Sequence, residues 1–112
     1  MDRVFEVRTY RSAPGKLDAL LARFRDHTMA LFGDHGIGVT GFWQTADADD
    51  PSTGTLVYIC HFDSRDAADK AWEGFRADPR WIKARDESQL DGSLTETVES
   101  RFVSPTDFSP VR

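Results

Sequence analysis

From Lys16 onward, apolar residues return at intervals of three and four: Leu17, Leu20, Leu21, Phe24, Leu31 and Phe32, with Thr28 in the same series and Asp18, Arg23, Arg25 and Asp26 on the other side. That spacing predicts an amphipathic helix running to Gly33-Asp34-His35-Gly36, where glycine permits the left-handed conformation that closes helices. The flanking segments follow a different rhythm. Val4 to Tyr10 is rich in β-branched and aromatic residues and stops at Ser12-Ala13-Pro14-Gly15, so it reads as a strand ended by a Pro-Gly turn. Ile37 to Thr45 reads as a second strand, in which Gly38 and Gly41 point to a bulge or to the close approach of another backbone. The polar, acidic stretch from Ala46 to Gly54 predicts a solvated hairpin loop, and Thr55 to Phe62, the most apolar run, predicts a central third strand.

Beyond Phe62, Asp63-Ser64-Arg65-Asp66 supplies capping side chains and a first-turn acid for a second helix that buries Ala67, Ala68, Ala71, Trp72 and Phe75. Asp78-Pro79 breaks that helix and opens a further short piece carrying Trp81, Ile82 and Arg85. Leu94 to Val103 alternates as a fourth strand, and Ser104 to Pro110 is expected to pack as an extended arm. The order β-α-β-β-α-β is the split βαβ pattern of an α+β, ferredoxin-like sandwich with an antiparallel four-stranded sheet in the order 4-1-3-2. Its helices cover one face only. On the third strand both alternating sets, Leu56, Tyr58, Cys60, Phe62 and Val57, Ile59, His61, are largely apolar. Exposing either would leave an apolar patch larger than monomers usually tolerate, which predicts a homodimer with stacked open faces.

Composition narrows the function classes. A chain of 112 residues with 39% hydrophobic and 29% charged residues fits one domain with one core and argues against disorder. Lys and Arg total 14 against 19 Asp and Glu, a formal charge of -5, so the basic footprint of a nucleic-acid binder is missing. No apolar run is long enough to cross a bilayer, and Met1-Asp2-Arg3-Val4 enters a strand pattern without a signal core. A cytoplasmic location without membrane or nucleic-acid partners is the expectation. The single cysteine, Cys60, has no disulfide or zinc partner and reads as a small buried strand residue.

Several motifs occur together in a familiar order: Glu6-Val-Arg-Thr-Tyr10 before Pro14-Gly15, Phe24-Arg-Asp-His-Thr28, Gly41-Phe-Trp43, Ala71-Trp-Glu-Gly-Phe75 with Asp78-Pro-Arg-Trp81, and Pro105-Thr-Asp-Phe-Ser-Pro110. Across nearly the whole chain the sequence resembles the NIPSNAP family. The resemblance implies the dimeric α/β-barrel superfamily, in which two ferredoxin-like subunits pair their sheets. It implies less about chemistry, since superfamily relatives include cofactor-independent monooxygenases, ring-cleaving and isomerising enzymes, and heme proteins.

Candidate chemistry rests on few residues. His27 lies three residues after Phe24 and four before Leu31, on the apolar stripe, where it is either a satisfied core histidine or a general acid or base facing a pocket. His61 in the central strand carries the same two readings, whereas His35 belongs to a helix-ending turn. The three histidines lack zinc-site spacing, so no metal is expected; His27 or His61 are the residues that could ligate a heme, but the chain is short for enclosing one, and no cofactor is expected. Glu6, Arg8 and Tyr10 share one face of the first strand, either as ion pairs between stacked sheets, beside Glu96, Glu99 or Arg101, or with Arg8 as anchor for a carboxylate or phenolate. Trp43, Trp72 and Trp81, with Tyr58 and Phe75, are core or the aromatic wall of a small-molecule site. The leading expectation is a ligand cleft between helices and sheet, in which His27 or His61 moves a proton and Tyr10 or Arg8 stabilises an oxyanion. The contrasting one is a non-catalytic interaction or sensing dimer.

Overall fold

The computed structural model describes residues 3–46 and 54–112, so most of the expected hairpin loop after Ala46 lies outside the described residues. Strands β1 (Val4–Ser12), β2 (Gly38–Gln44), β3 (Thr55–Phe62) and β4 (Thr95–Val103) form one sheet in the order β2-β3-β1-β4, every neighbour antiparallel. This is the ferredoxin-like arrangement read from the sequence. The first helical region, α1 (Leu17–Arg23), a π-helical turn (Phe24–Thr28) and α2 (Met29–Asp34), runs without interruption. The second is α3 (Arg65–Ala77) followed by α4 (Pro79–Ser88).

Alternation along β3 divides the molecule. Leu56, Tyr58, Cys60 and Phe62 are buried under the helices, while Val57, Ile59 and His61 lie half-buried on the open face. Leu20, Phe24 and Phe32 from the first helical region and Ala68, Trp72 and Phe75 from α3 complete the core. Phe32 is its hinge point: its ring lies 5.4 Å from Trp72 and 5.1 Å from Phe75, centroid to centroid, in tilted or edge-on contact. Cys60 is fully enclosed, and burial pushes its thiol up to about 12, as an inert strand residue requires.

The helix boundaries follow from local chemistry. Ser64 accepts from the Ala67 amide at the start of α3, and Asp78 accepts from the Arg80 amide ahead of Pro79 at the start of α4. Gly36 closes α2 with φ of 73°. On β2 the predicted bulge falls between Val39 and Gly41, but what approaches the two glycines is side chain, not backbone. The His61 ring packs over Gly38 and the Trp43 ring over Gly41, each occupying the space a Cβ would fill.

Asp78 also ties the helices together, bonding His35 Nε2 at 2.7 Å and Arg80 at 2.7 Å, while Arg80 reaches Asp34 at 2.9 Å. The hydrogen bonds from Arg80, His35 and the Arg80 amide hold the Asp78 carboxyl well below the usual carboxylate range.

Two outcomes follow for stability. Phe32→Ala is expected to cost about 3–5 kcal/mol in urea unfolding, the range for removing a large buried aromatic. Asp78→Asn is expected to melt below the wild type at neutral pH. Because the folded carboxyl is depressed, its contribution is full above the unfolded value of about 4 and fades as pH falls toward the folded value. The two melting curves therefore converge in acid.

Candidate functional site

Strand alternation sends Glu6, Arg8 and Tyr10 to the helix-covered side of β1. Register then sets Arg8 opposite Tyr58 on β3 and opposite Ser100 on β4, and α3 lays Trp72 across them. Glu6 is 2% exposed. Its carboxylate accepts from Trp72 Nε1 at 2.6 Å, from Arg8 at 2.8 Å and from the Ser100 hydroxyl. A buried charge survives only when paired and hydrogen-bonded, and Glu6 has both. Arg8 meanwhile donates from Nε to the Tyr58 hydroxyl at 2.7 Å and from a terminal nitrogen to the Tyr10 hydroxyl at 2.9 Å, with its guanidinium 4.4 Å from the Trp72 ring centroid.

The two phenols lie 2.8 Å apart. Each already accepts from Arg8, and one of them donates to the other. The second phenolic hydrogen therefore has no acceptor among the described residues, and both tyrosines line a cavity of about 110 Å³ between sheet and helices. Burial raises the Tyr58 phenol well above its ordinary value, helped by Tyr10 and opposed by Arg8, so this side chain stays a donor. Burial works against the Arg8 charge, but Tyr58, Tyr10 and Glu6 outweigh it and the guanidinium is held more firmly protonated than usual.

Aromatic rings wall the cavity. Phe75 and Trp81 lie 4.8 Å apart, centroid to centroid, and Trp72 stands 5.7 Å from Phe75. Thr28 enters the lining from the π turn, and Arg23 and Arg76 complete it. Arg23 is 8% exposed, with its guanidinium 5.1 Å from the Trp81 ring.

Of the residues singled out from the sequence, Arg8, Tyr10, Tyr58, Trp72, Phe75 and Trp81 come together here. Three others do not. His27 is exposed and faces the groove between the first helical region and α4. The reason is the π turn: its wider turn keeps Thr28 in line beneath Phe24, its hydroxyl donating to the Arg23 carbonyl at 3.2 Å, and swings His27 outward. His61 lies on the open face, 3.2 Å from the Thr40 hydroxyl and edge-on to Phe5, its pKa lowered by burial and by Arg3 against the opposing Asp63. Trp43 pairs in register with Val57 and is 52% exposed on the same open face. The Glu6-Arg8-Tyr10 set belongs under the helices, not between stacked sheets, and its partner from β4 is Ser100 where Glu96, Glu99 or Arg101 had been considered. The reading also missed Arg23 and Arg76. Arg23 follows Leu20 by three residues, a spacing compatible with burial, but its charge put it on the polar side, and only α4 closes over it.

Two measurements probe this cluster. The chain has two tyrosines, so in an alkaline absorbance titration Tyr58 is expected to ionise well above about pH 10, and Tyr58→Phe removes that late step. Glu6→Ala leaves Arg8 buried without its counter-ion and is expected to cost about 3–5 kcal/mol in urea unfolding.

Comparison with known proteins bears on the whole chain. Two NIPSNAP family proteins from Agrobacterium tumefaciens have crystal structures similar to it: one of unknown function, 26% identical with a TM-score of 0.84, covering 99% of this chain and 95% of its own, and a second, 25% identical with a TM-score of 0.84, covering 98% and 99%. A monooxygenase from the ActVA-Orf6 gene of Streptomyces coelicolor, in complex with nanaomycin D, is 16% identical with a TM-score of 0.61 over 94% of this chain and 88% of its own, a likeness of fold alone. Curated protein sequences gave no significant match. The NIPSNAP family profile matches residues 5–110, and the chain belongs to that family.

Proposed function

We propose that this NIPSNAP protein binds a small, planar, aromatic or carbonyl-containing metabolite in the cavity between helices and sheet. The observation that carries the reading is the unspent phenolic hydrogen of the Tyr10-Tyr58 pair, held by Arg8 at the floor of an aromatic-walled cavity. Buried donors are ordinarily satisfied, and one aimed into a cavity favours a ligand oxygen.

The same geometry defines the chemistry the site supports. A protonated phenol backed by an arginine stabilises negative charge developing on a carbonyl or phenol oxygen, which lowers the barrier to enolisation or to oxygenation of an electron-rich ring. Glu6 is the one carboxylate in the cluster, and three donors already occupy it. Neither His27 nor His61 lines the cavity, so no histidine moves a proton there, and the role left to the site is to stabilise an oxyanion on a substrate that loses its proton to water. No bound cofactor is invoked. A non-catalytic sensor would use the same contacts without turnover.

The open face carries a second part of the proposal. Val7, Val57, Ile59 and Trp43 make its centre apolar, and Glu99 and Arg101 on β4 bring opposite charges beside it. A second copy of the chain, stacked face to face about a two-fold axis, buries the first and pairs the second.

In a thermal-shift screen of phenols and polyketide-like aromatics, binders are expected to raise the melting temperature of the wild type; because either phenol can carry the free hydrogen, the double variant Tyr10→Phe/Tyr58→Phe is expected to weaken the affinity about tenfold, the worth of one good hydrogen bond. An unchanged response removes the phenol from recognition. Sedimentation at micromolar concentration is expected to show a dimer, and Ile59→Asp a monomer; a wild-type monomer ends the stacking proposal.

A further inference from the structure

Charge in the cavity does not balance. Glu6 neutralises Arg8, but among the described residues no carboxylate lies within ion-pair distance of Arg23 or Arg76, although both line the same space. Arg23 is the sharper case. It is 8% exposed, and among the described residues its Nε has no hydrogen-bond partner and its side chain makes one hydrogen bond, a long one to the Ser88 hydroxyl at 3.3 Å. Trp81 offers it a ring face at 5.1 Å, and Trp72 does the same for Arg76 at 5.5 Å. Arg76 is exposed at the edge of the cavity, whereas Arg23 is buried, and burial is what sets Arg23 apart from the other cations that lack a carboxylate partner. A buried guanidinium without a counter-ion is costly, and such a cost is retained where a ligand supplies the missing charge.

We infer that Arg23, flanked by Arg76, is the anion anchor of this cavity and that its ligand is a small aromatic carboxylic acid. The inference rests on the cavity being a ligand site, as proposed above, and it moves the anchoring role from Arg8, whose charge Glu6 already consumes, to the pair on the opposite wall. A planar carboxylate matches the forked guanidinium, and the free Nε of Arg23 is one prong of that fork. Trp72, Trp81 and Phe75 take the ring. The unspent phenolic hydrogen then meets a second oxygen of the ligand, a hydroxyl or carbonyl at the other end. An apolar cavity of about 150 Å³ holds benzene; the 110 Å³ here is smaller but not closed off from solvent, so a single ring is the most it takes and the ligand extends toward the opening. Burial, with Arg85 adding to it and Tyr10 and Tyr58 opposing, lowers the Arg23 pKa, the direction expected of a cation awaiting its partner.

A matched pair of probes tests this: benzoate and benzamide, with phenol as the uncharged reference, followed by tryptophan fluorescence and melting temperature. In the wild type benzoate is expected to bind about tenfold or more tightly than benzamide, with an advantage that shrinks as salt is added. In Arg23→Met, which keeps the bulk of the stem, the benzoate affinity is expected to fall to that of benzamide while benzamide is unaffected; Arg76→Gln shifts it the same way by a smaller factor. Should Arg23→Met fail to fold, Arg23→Lys, which keeps the charge and loses the fork, is expected to fall between the two. Equal binding of benzoate and benzamide by the wild type overturns the anion anchor and leaves the cavity as a binding site. Benzoate binding that none of the arginine variants alters also overturns it. Absence of any response to benzoate, benzamide and phenol takes down the binding reading itself, and this inference with it.

Discussion

Glu6 and Arg8 stand two residues apart on β1, which puts both on the covered face of the sheet and leaves the fold no way to send them to water. Everything on the helix side is organised around that constraint. Trp72 satisfies one carboxylate oxygen and stacks on the guanidinium, so α3 is oriented by the ion pair as much as by its apolar stripe. Tyr58 and Tyr10 have their hydroxyls fixed by Arg8, and Ser100 draws β4 into the same network. An apolar pair at positions 6 and 8 would pack at least as well. What it could not do is hold two phenol oxygens at fixed points on the floor of a cavity, since a fully connected polar network specifies geometry where apolar contacts leave it loose.

The π turn is the second decision. It lies at the middle of the first helical region, keeps Thr28 inward beneath Phe24 and turns His27 away from the core. Arg23, just ahead of it, is caught between the cavity and α4, where Ala84 makes room and Ser88 gives a single weak partner. A regular helix through the same residues would leave His27 nearer the core, as its spacing from Phe24 and Leu31 implies.

The two faces of the sheet accordingly do different work. The covered face gathers polar side chains at strand positions where a core would ordinarily be apolar, and the open face carries the apolar side chains that a surface would ordinarily avoid, with His61 and Trp43 folded over Gly38 and Gly41. Family relatives share this architecture at high structural similarity and only about a quarter sequence identity, so much of the sequence changes while the backbone arrangement is kept.

Element type, order and strand pairing were legible in the sequence because they depend on local periodicity: period two in β1 and β3, three and four in the helices, Asp78-Pro79 at the break, glycine at the turns. Family membership was legible for the same reason, through motifs that keep their order. Half of the site was legible as well, since alternation alone places Arg8 and Tyr10 together and marks Trp72, Phe75 and Trp81 as inward. The tertiary structure decided the rest. Which face of β1 the helices cover, and so whether Glu6 and Arg8 meet Trp72 or another sheet, depends on how the layers stack, which no strand pattern encodes when both faces are partly apolar. Whether His27 joins Thr28 in pointing inward depends on a single hydrogen-bond shift in the helix, and whether Arg23 is buried depends on α4, about sixty residues distant in sequence, closing over it.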